Sequence, residues 1–528
     1  MDTESAPSRP TPLRRLLGDA ANLPVFVTSA VLVVALAVFG VVAPDAADRV
    51  FGGVQGFIVD ELGWFYSLVA SCFLVFVLWT AFGRYGNVRL GPDDARPDYG
   101  YVTWFAMLFS AGMGIGVLFW SVAEPLNHFA TPPYGDAETP AAAQRAVNLT
   151  FLHWGLHGWA IYAVVGLVLA YVVFRRGLPM AMRSTLQPLL GDRVYGPAGH
   201  AIDVFAILGT MFGVATTLGI GAQQGAAGLA HLFDLEATLN VQLWIIALAT
   251  AAALVSVISG LDRGIKRLSQ TAFVLGLVVL AYVLLLGPTG YALTATVESI
   301  GRYVQTLPET ALRGTAYADP DWMADWTLFY WGWWLAWSPF VGIFIARVSR
   351  GRTIREFVLG VLFVPTLVIF LWYGVFGHLA LQRVLAGDER LLDTAIDNLP
   401  AAIFVFFEAF PLSTVVSLVG LVVIAVYFVT SSDSASFVID MLASGGDLDP
   451  PRRTRVFWAV AEGLVGAMLL VAGGLQAMRT FQITTGLPLA LLLIGMCVAM
   501  TRALRTERRH GTAGARGRPE SDPHVEST

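Results

Sequence analysis

Charge is scarce in this chain: 13% of its 528 residues are Asp, Glu, Lys or Arg, against 56% hydrophobic residues, and the mean hydropathy is +0.66. That balance excludes a soluble enzyme with a single anchor and describes a polytopic membrane protein. Cysteine is almost absent. Cys72 and Cys497 fall inside apolar runs and are expected to be small buried side chains, which excludes a disulfide framework and a cysteine metal pair. The net charge of −5 gives no reason to expect a nucleic-acid partner. The first apolar run, from Leu23, is too long for a signal-peptide core and has no small-residue cleavage pattern, so it is expected to be a span.

What is present is a set of twelve apolar runs long enough to cross a bilayer, near 24–43, 63–83, 101–123, 148–174, 199–230, 240–259, 268–291, 322–346, 355–380, 401–439, 454–474 and 481–501. With the N-terminus inside, only Arg49, Arg145, Arg302, Arg313, Arg383, Arg390 and Arg479 of the 33 basic residues fall in outer segments. This asymmetry places both termini in the cytoplasm. Residues 1–20 and 503–528 are polar and read as tails, the second either solvated or touching anionic lipid through its arginines. Between spans 7 and 8, Leu293, Val297, Ile300, Val304 and Leu307 recur at helical spacing, which predicts an amphipathic surface helix over about 293–315.

No residue-level repeat is visible, but the span count permits one within a transport domain of 21–502. Spans 3–7 (about 101–292) and 8–12 (about 322–502) would be halves of opposite topology, the arrangement in which carriers bind substrate at the midplane between broken helices. Span 3 contains Gly112, Gly114 and Gly116 halfway across. Such a run either breaks the helix or allows close packing of the small-xxx-small kind.

Span 8 carries Trp331, Trp333, Trp334 and Trp337, roughly 13–22 Å from its outer end and so near the centre of a bilayer core about 30 Å thick. Tryptophan normally sits at the headgroups. Indoles at this depth suit either packing or a site for a cation with no N–H to donate, such as a quaternary ammonium. Span 4 adds Trp154, Trp159 and Tyr162. On a continuous helix these lie within about 140° of one another, a second wall for a pocket. In span 10, Thr430, Ser431 and Ser432 precede Asp433. Hydroxyls there either bond the preceding turn or complete a sodium site. His153 and His157 are read as packing or polar lining, since two histidines alone make no metal site.

Four stretches together resemble the betaine/choline/carnitine transporter family: Gly112 to Gly116 running on to Ala123-Glu-Pro125, Trp154 with Trp159 and Tyr162, Trp326 through Pro339 to Arg352, and Thr430 to Ser434. The resemblance implies an all-α fold of twelve transmembrane helices, a LeuT-type pair of inverted five-helix repeats preceded by two extra helices, and often a homotrimer contacting through the surface helix. It implies a trimethylammonium box of Trp154, Trp159, Tyr162 and Trp334, completed around Met113 in the Gly112–Gly116 segment and flanked by Trp331, Trp337 and Phe344 on span 8, the last two on the route toward the cytoplasm. It implies one sodium site from the carbonyls of Ser110 and Met113 with Val426, Tyr427, Thr430 and Ser431. A second would use Thr210 and Phe340, but Val214 stands where the family's carrier has a further threonine, and valine offers no oxygen. The long basic C-terminal helix of some members is not evident.

Gly116 stands where choline importers of the family tend to carry Asp, and 208–226 lacks the Arg of sodium-independent members. Both favour a sodium-coupled importer of glycine betaine or a related zwitterionic osmoprotectant in a bacterial or archaeal cell membrane. No cofactor other than the coupling ion is expected. The nearest alternatives are a proton-coupled choline importer and a carnitine exchanger. A channel would want polar rings along a pore, and a membrane enzyme would need a nucleophile–base pair at the midplane, which the sequence does not offer.

Overall fold

The computed structural model describes residues 22–112, 114–259 and 262–516. Among them there is no sheet, only an isolated bridge between Arg89 and Thr353. The principal helices are α1 Leu23–Val42, α2 Pro44–Phe82, α3 Tyr101–Gly112, α4 Ile115–Ala130, α5 Pro140–Trp154, α6 Leu156–Ala170, α7 Pro197–Phe233, α8 Leu239–Ser259, α9 Asp262–Leu286, α10 Thr289–Ala311, α11 Phe329–Val348, α12 Ile354–Leu385, α13 Glu389–Asp397, α14 Ala402–Phe407, α15 Ser413–Ala443, α16 Arg452–Val471 and α17 Leu475–Arg516. Their starts follow local chemistry. Proline in the first turn opens α2, α5 and α7, where its missing N–H costs nothing. The Thr139 hydroxyl accepts from the Ala142 N–H at 3.1 Å, and Thr353 with Glu356 forms a capping box at α12.

Eleven helical segments among the described residues are long and apolar enough to cross a bilayer. The remaining expected span, 101–123, is divided into α3 and α4, and Gly114 before α4 is extended at φ −149° and ψ −172°. A total of twelve therefore depends on reading these two shorter helices as one interrupted crossing. The most apolar windows of α1 and α8 are 28% buried, against 89% for the α5–α6 segment and for α7. The first pair faces lipid and the second forms the core, because only lipid gives an exposed face such as Trp244 and Leu248 on α8 an apolar surrounding.

Several local expectations are revised. Helix α2 begins at Pro44, well before residue 63. Cys72 is exposed and Cys497 half-buried, so they are not core side chains. Residues 1–20 lie outside the described residues, whereas the last helix runs past 502 to Arg516, through strong helix formers such as Arg502, Ala503, Leu504 and Arg505. Glu507 on that extension bonds Arg175 and Tyr171. The surface helix exists as α10, but its buried side is the small and polar one: Ala292, Thr296, Ser299 and Tyr303 face the protein, while Leu293, Val297 and Val304 are exposed. Ser299 reaches His378 at 2.9 Å and Thr306 accepts from Asn148 at 3.0 Å, so polar bonds help hold the helix; of its apolar stripe, Ile300 and Leu307 are half-buried against the core and Leu293, Val297 and Val304 point away.

Helices α6 and α11 approach closely because glycines face each other: a side chain on Gly342 would meet the Gly166 nitrogen at 3.2 Å. This contact sets the aromatic residues of both helices side by side.

Candidate functional site

The site is built on a second helix break that the sequence pattern does not suggest. Between α5 and α6, Gly155 adopts φ −91° and ψ −139°, and the ladder is interrupted. Two orphaned backbone groups find substitutes. The Leu156 N–H donates to the Tyr303 hydroxyl of α10 at 3.3 Å, and the His153 carbonyl accepts from the Trp334 indole at 2.9 Å. A break at membrane depth is tolerated where neighbouring side chains satisfy it in this way. The expectation that Trp154, Trp159 and Tyr162 share one face of a continuous helix is therefore corrected. Trp154 ends α5, whereas Trp159 and Tyr162 belong to α6.

The structure still brings them together. The Trp334 ring lies 5.9 Å from Trp154, 6.0 Å from Trp159 and 4.8 Å from Tyr162 between centroids. Trp159 and Tyr162 meet edge-on at 5.7 Å. All four are buried, and Trp334 touches each of the other three. Gly158 allows this: a side chain there would enter the Trp334 indole. Trp333, which the box described above does not include, forms a further wall at 6.1 Å from Trp154. Gly116 lies against this wall, since a side chain on it would meet Trp333 at 2.8 Å and Trp154 at 3.1 Å. Among the described residues, the buried indole N–H groups of Trp159 and Trp333 have no acceptor.

Behind the rings lies a buried hydrogen-bond hub that sequence reasoning missed. The Glu124 carboxylate accepts from the Trp154 indole at 2.8 Å and from the Tyr330 hydroxyl. Its other oxygen faces His153 Nδ1 at 2.7 Å and His128 Nε2 at 3.3 Å, and His153 Nε2 faces the Thr327 hydroxyl at 3.0 Å. Glu124, His128 and His153 offer ligand atoms within 4.8 Å of one another, a spacing compatible with a divalent metal. Four neighbours already occupy the carboxylate's acceptor positions, however, which makes it a positioning group. Its signal in the sequence was faint, a Glu directly after the expected span 101–123, which the structure places inside α4 and fully buried.

The other expected residues divide. Trp331 stacks on His157 at 5.5 Å, so it lies beside the cluster and not within it. Trp337 packs on Phe340 at 5.3 Å and against Gly213 of α7. Phe344, ten residues beyond Trp334, is exposed. The Ser110 side chain and Met113 lie outside the described residues, Gly112 ends α3, and Gly114 precedes α4. Near that interruption, Ile115 and Phe428 both press on Gly221, which brings the start of α4, α7 and the Val426–Ser431 stretch of α15 together. The Thr430 hydroxyl donates to the Val426 carbonyl at 3.0 Å, leaving its lone pairs to accept or to ligate. The Tyr427 hydroxyl is buried without a partner, and Ser431 is half-buried. On α7, Val214 is buried and the Thr210 hydroxyl is buried and unpartnered.

An all-helical, multi-pass bundle with an aromatic cluster enclosed between interrupted helices is a membrane transporter and not an enzyme. Residues 24–509 match BCCT, the betaine/carnitine/choline family transporter, and the chain belongs to that family. It is similar to an uncharacterised transporter of Mycobacterium tuberculosis (strain ATCC 25618 / H37Rv), 47% identical over 91% of this chain and 82% of the relative. It is also similar to the glycine betaine transporter OpuD of Bacillus subtilis (strain 168), 44% identical over 90% and 93%, and to a glycine betaine/proline/choline/ectoine transporter of Vibrio parahaemolyticus, 41% identical over 92% and 87%.

Proposed function

We propose that this protein is a sodium-coupled symporter that imports glycine betaine or a related trimethylammonium zwitterion. The observation that carries the reading is the buried cluster of Trp154, Trp159, Tyr162 and Trp334 across a broken helix. Aromatic faces attract a quaternary ammonium by about 0.5–2 kcal/mol each, more when dry. Three or four such contacts offset much of the dehydration of the head group. The free N–H groups of Trp159 and Trp333 are donors suited to a carboxylate, which favours a zwitterion over choline. Gly116 agrees: an aspartate there would press its carboxylate between Trp333 and Trp154. Relatives at 42–44% identity carry the name glycine betaine transporter.

Sodium coupling is supported by the hydroxyls of Thr430 and Ser431 with the carbonyls of Val426 and Tyr427, placed beside the α3–α4 interruption. Carbonyls from that interruption, at Ser110 and Met113, would supply the remaining oxygens that a hard cation needs. The stretch 208–226 of α7 has no Arg to substitute for the ion. A second ion at Thr210 and Phe340 remains part of the proposal only through the Thr210 hydroxyl, since Val214 contributes none.

The carrier works as two inverted halves, about 101–292 and 322–502, in a cell membrane with both termini cytoplasmic. The exposed stripe Leu293, Val297 and Val304 on α10 suits the contact of a homotrimer. Because the four rings touch, a head group must part them to bind. Tryptophan fluorescence of the purified protein tests this. A saturable change with glycine betaine in sodium but not in potassium is expected, and no change in either medium contradicts the reading.

A further inference from the structure

Helix α16 carries a carboxylate that the site above does not use. Glu462 is fully buried, ten residues from the start of α16 and so about 15 Å inside the bundle. One oxygen accepts from the Ser432 hydroxyl of α15 at 3.0 Å, and the other, Oε1, is buried with no hydrogen-bond partner among the described residues. The nearest cation is turned to another carboxylate. Arg455 donates from one terminal nitrogen to Asp433, to Oδ1 at 3.0 Å and to the backbone carbonyl at 3.1 Å, makes no hydrogen bond to Glu462 among the described residues, and Asp433 also accepts from Ser256 of α8 at 3.4 Å.

Among the described residues, the other elements packed on α16 bring no free counter-charge. Helices α1 and α8 contain no titratable residue. His200, Asp203 and His231 lie near the ends of α7, and Asp203 pairs with Arg183. Asp440 of α15 is bonded to Thr454, and Arg479 of α17 pairs with Asp325. An unpaired carboxylate at this depth is costly. It becomes neutral by holding a metal cation or a proton. A sodium ion wants about six oxygens, as hard cations do, and the hydrogen-bonded surroundings of Glu462 supply the Ser432 hydroxyl alone.

We propose that Glu462 is a proton site of the transport cycle. The carboxyl holds its proton on Oε1 in this conformation and releases it to water from the cytoplasmic side when α15 moves and water reaches the group, the Ser432 hydroxyl still donating to the carboxylate that forms. The O–H bond opens, the pair of electrons stays on the carboxylate, and the group is reprotonated from the outer side before the next turn. Ser432 follows directly on the Thr430–Ser431 pair, so the same helix senses sodium on one face and meets Glu462 on the next. One proton then enters with each substrate, in addition to the sodium of the reading above, on which the coupling to substrate rests.

The full-length protein is reconstituted into liposomes with a trapped pH dye and the membrane potential clamped. Labelled glycine betaine uptake and lumenal pH are read together under an inward sodium gradient. The wild type is expected to acidify the lumen, and Glu462→Gln to keep sodium-dependent uptake while losing the acidification. Infrared difference spectra between acidic and alkaline media are taken on the same preparations without substrate. A protonated-carboxyl band is expected that vanishes in Glu462→Gln and moves in its pH midpoint in Ser432→Ala, the milder variant should the first not fold. Betaine uptake without acidification, or a carboxyl band unchanged in both variants, overturns the proton site. A band that titrates in a wild type that takes up no betaine leaves the proton site standing and overturns the substrate reading.

Discussion

The indole N–H of Trp334 donates to the carbonyl oxygen of His153 at 2.9 Å, so the ring that touches every other member of the aromatic cluster also satisfies the backbone broken at Gly155. Binding surface and helix break are one construction. Trp334→Ala removes the central face and leaves that carbonyl unpaired. Apparent KM for glycine betaine is expected to rise about tenfold or more, equivalent to roughly 1.4 kcal/mol or above. Trp334→Phe keeps a face but not the donor and should fall between wild type and Ala. Uptake kinetics in whole cells check the series, and an unchanged KM in Trp334→Ala would remove the residue from the site.

Glu124 is expected to act through the rings it holds. Glu124→Gln keeps the volume but replaces one acceptor oxygen by a donor, which either faces the Trp154 and Tyr330 donors or makes the ring nitrogens of His153 and His128 accept in place of donating. A buried donor left unsatisfied costs about 1–3 kcal/mol. The variant should bind glycine betaine about ten-fold to a hundred-fold more weakly in a fluorescence titration. Equal affinity would show that the hub is unrelated to the box.

Gly116→Ala adds a methyl that meets Trp333 at 2.8 Å and Trp154 at 3.1 Å. Overpacking of this kind costs about 1–3 kcal/mol, and here it falls on two walls of the site. Substrate affinity should drop and the thermal midpoint in detergent should fall only modestly, by the few degrees that such overpacking costs. A large fall in the midpoint with affinity retained would mean that Gly116 serves helix packing alone.

Thr430→Ala combined with Ser431→Ala removes both hydroxyls from the proposed sodium site and leaves the backbone carbonyls in place. Uptake should lose its dependence on external sodium. Because the Thr430 hydroxyl donates to its own helix at 3.0 Å, the bland outcome is a small change in stability with the sodium dependence intact, and that result would relocate the site.

Much of this was legible from residue order. The spans follow from apolar runs, and three glycines in five residues left a helix break and close packing both open, of which the extended Gly114 is the break. The break at Gly155 was not legible, because a single glycine between Trp154 and Leu156 looks like any packing glycine; what opens the ladder is the pair of substitutes, Tyr303 and Trp334, from distant helices. The Glu124 hub was hidden for the same reason, since its partners His153 and Tyr330 stand 29 and 206 residues away. Trp333 points about 100° away from Trp334 around α11 and becomes a wall only because α4 brings Gly116 against it. On α10 the spacing of apolar residues marked the helix correctly but not its orientation, because Leu293, Val297 and Val304 turn away from the bundle while Ile300 and Leu307 pack on it.

Uptake of labelled glycine betaine into proteoliposomes, with an inward sodium gradient in one set and potassium in the other, tests the account most directly. Uptake in sodium alone is the predicted result, since the aromatic cluster and the oxygens beside the α3–α4 interruption would then act together. Equal uptake in both media would make the α15 hydroxyls structural and contradict the coupling, and no uptake in either would contradict the substrate.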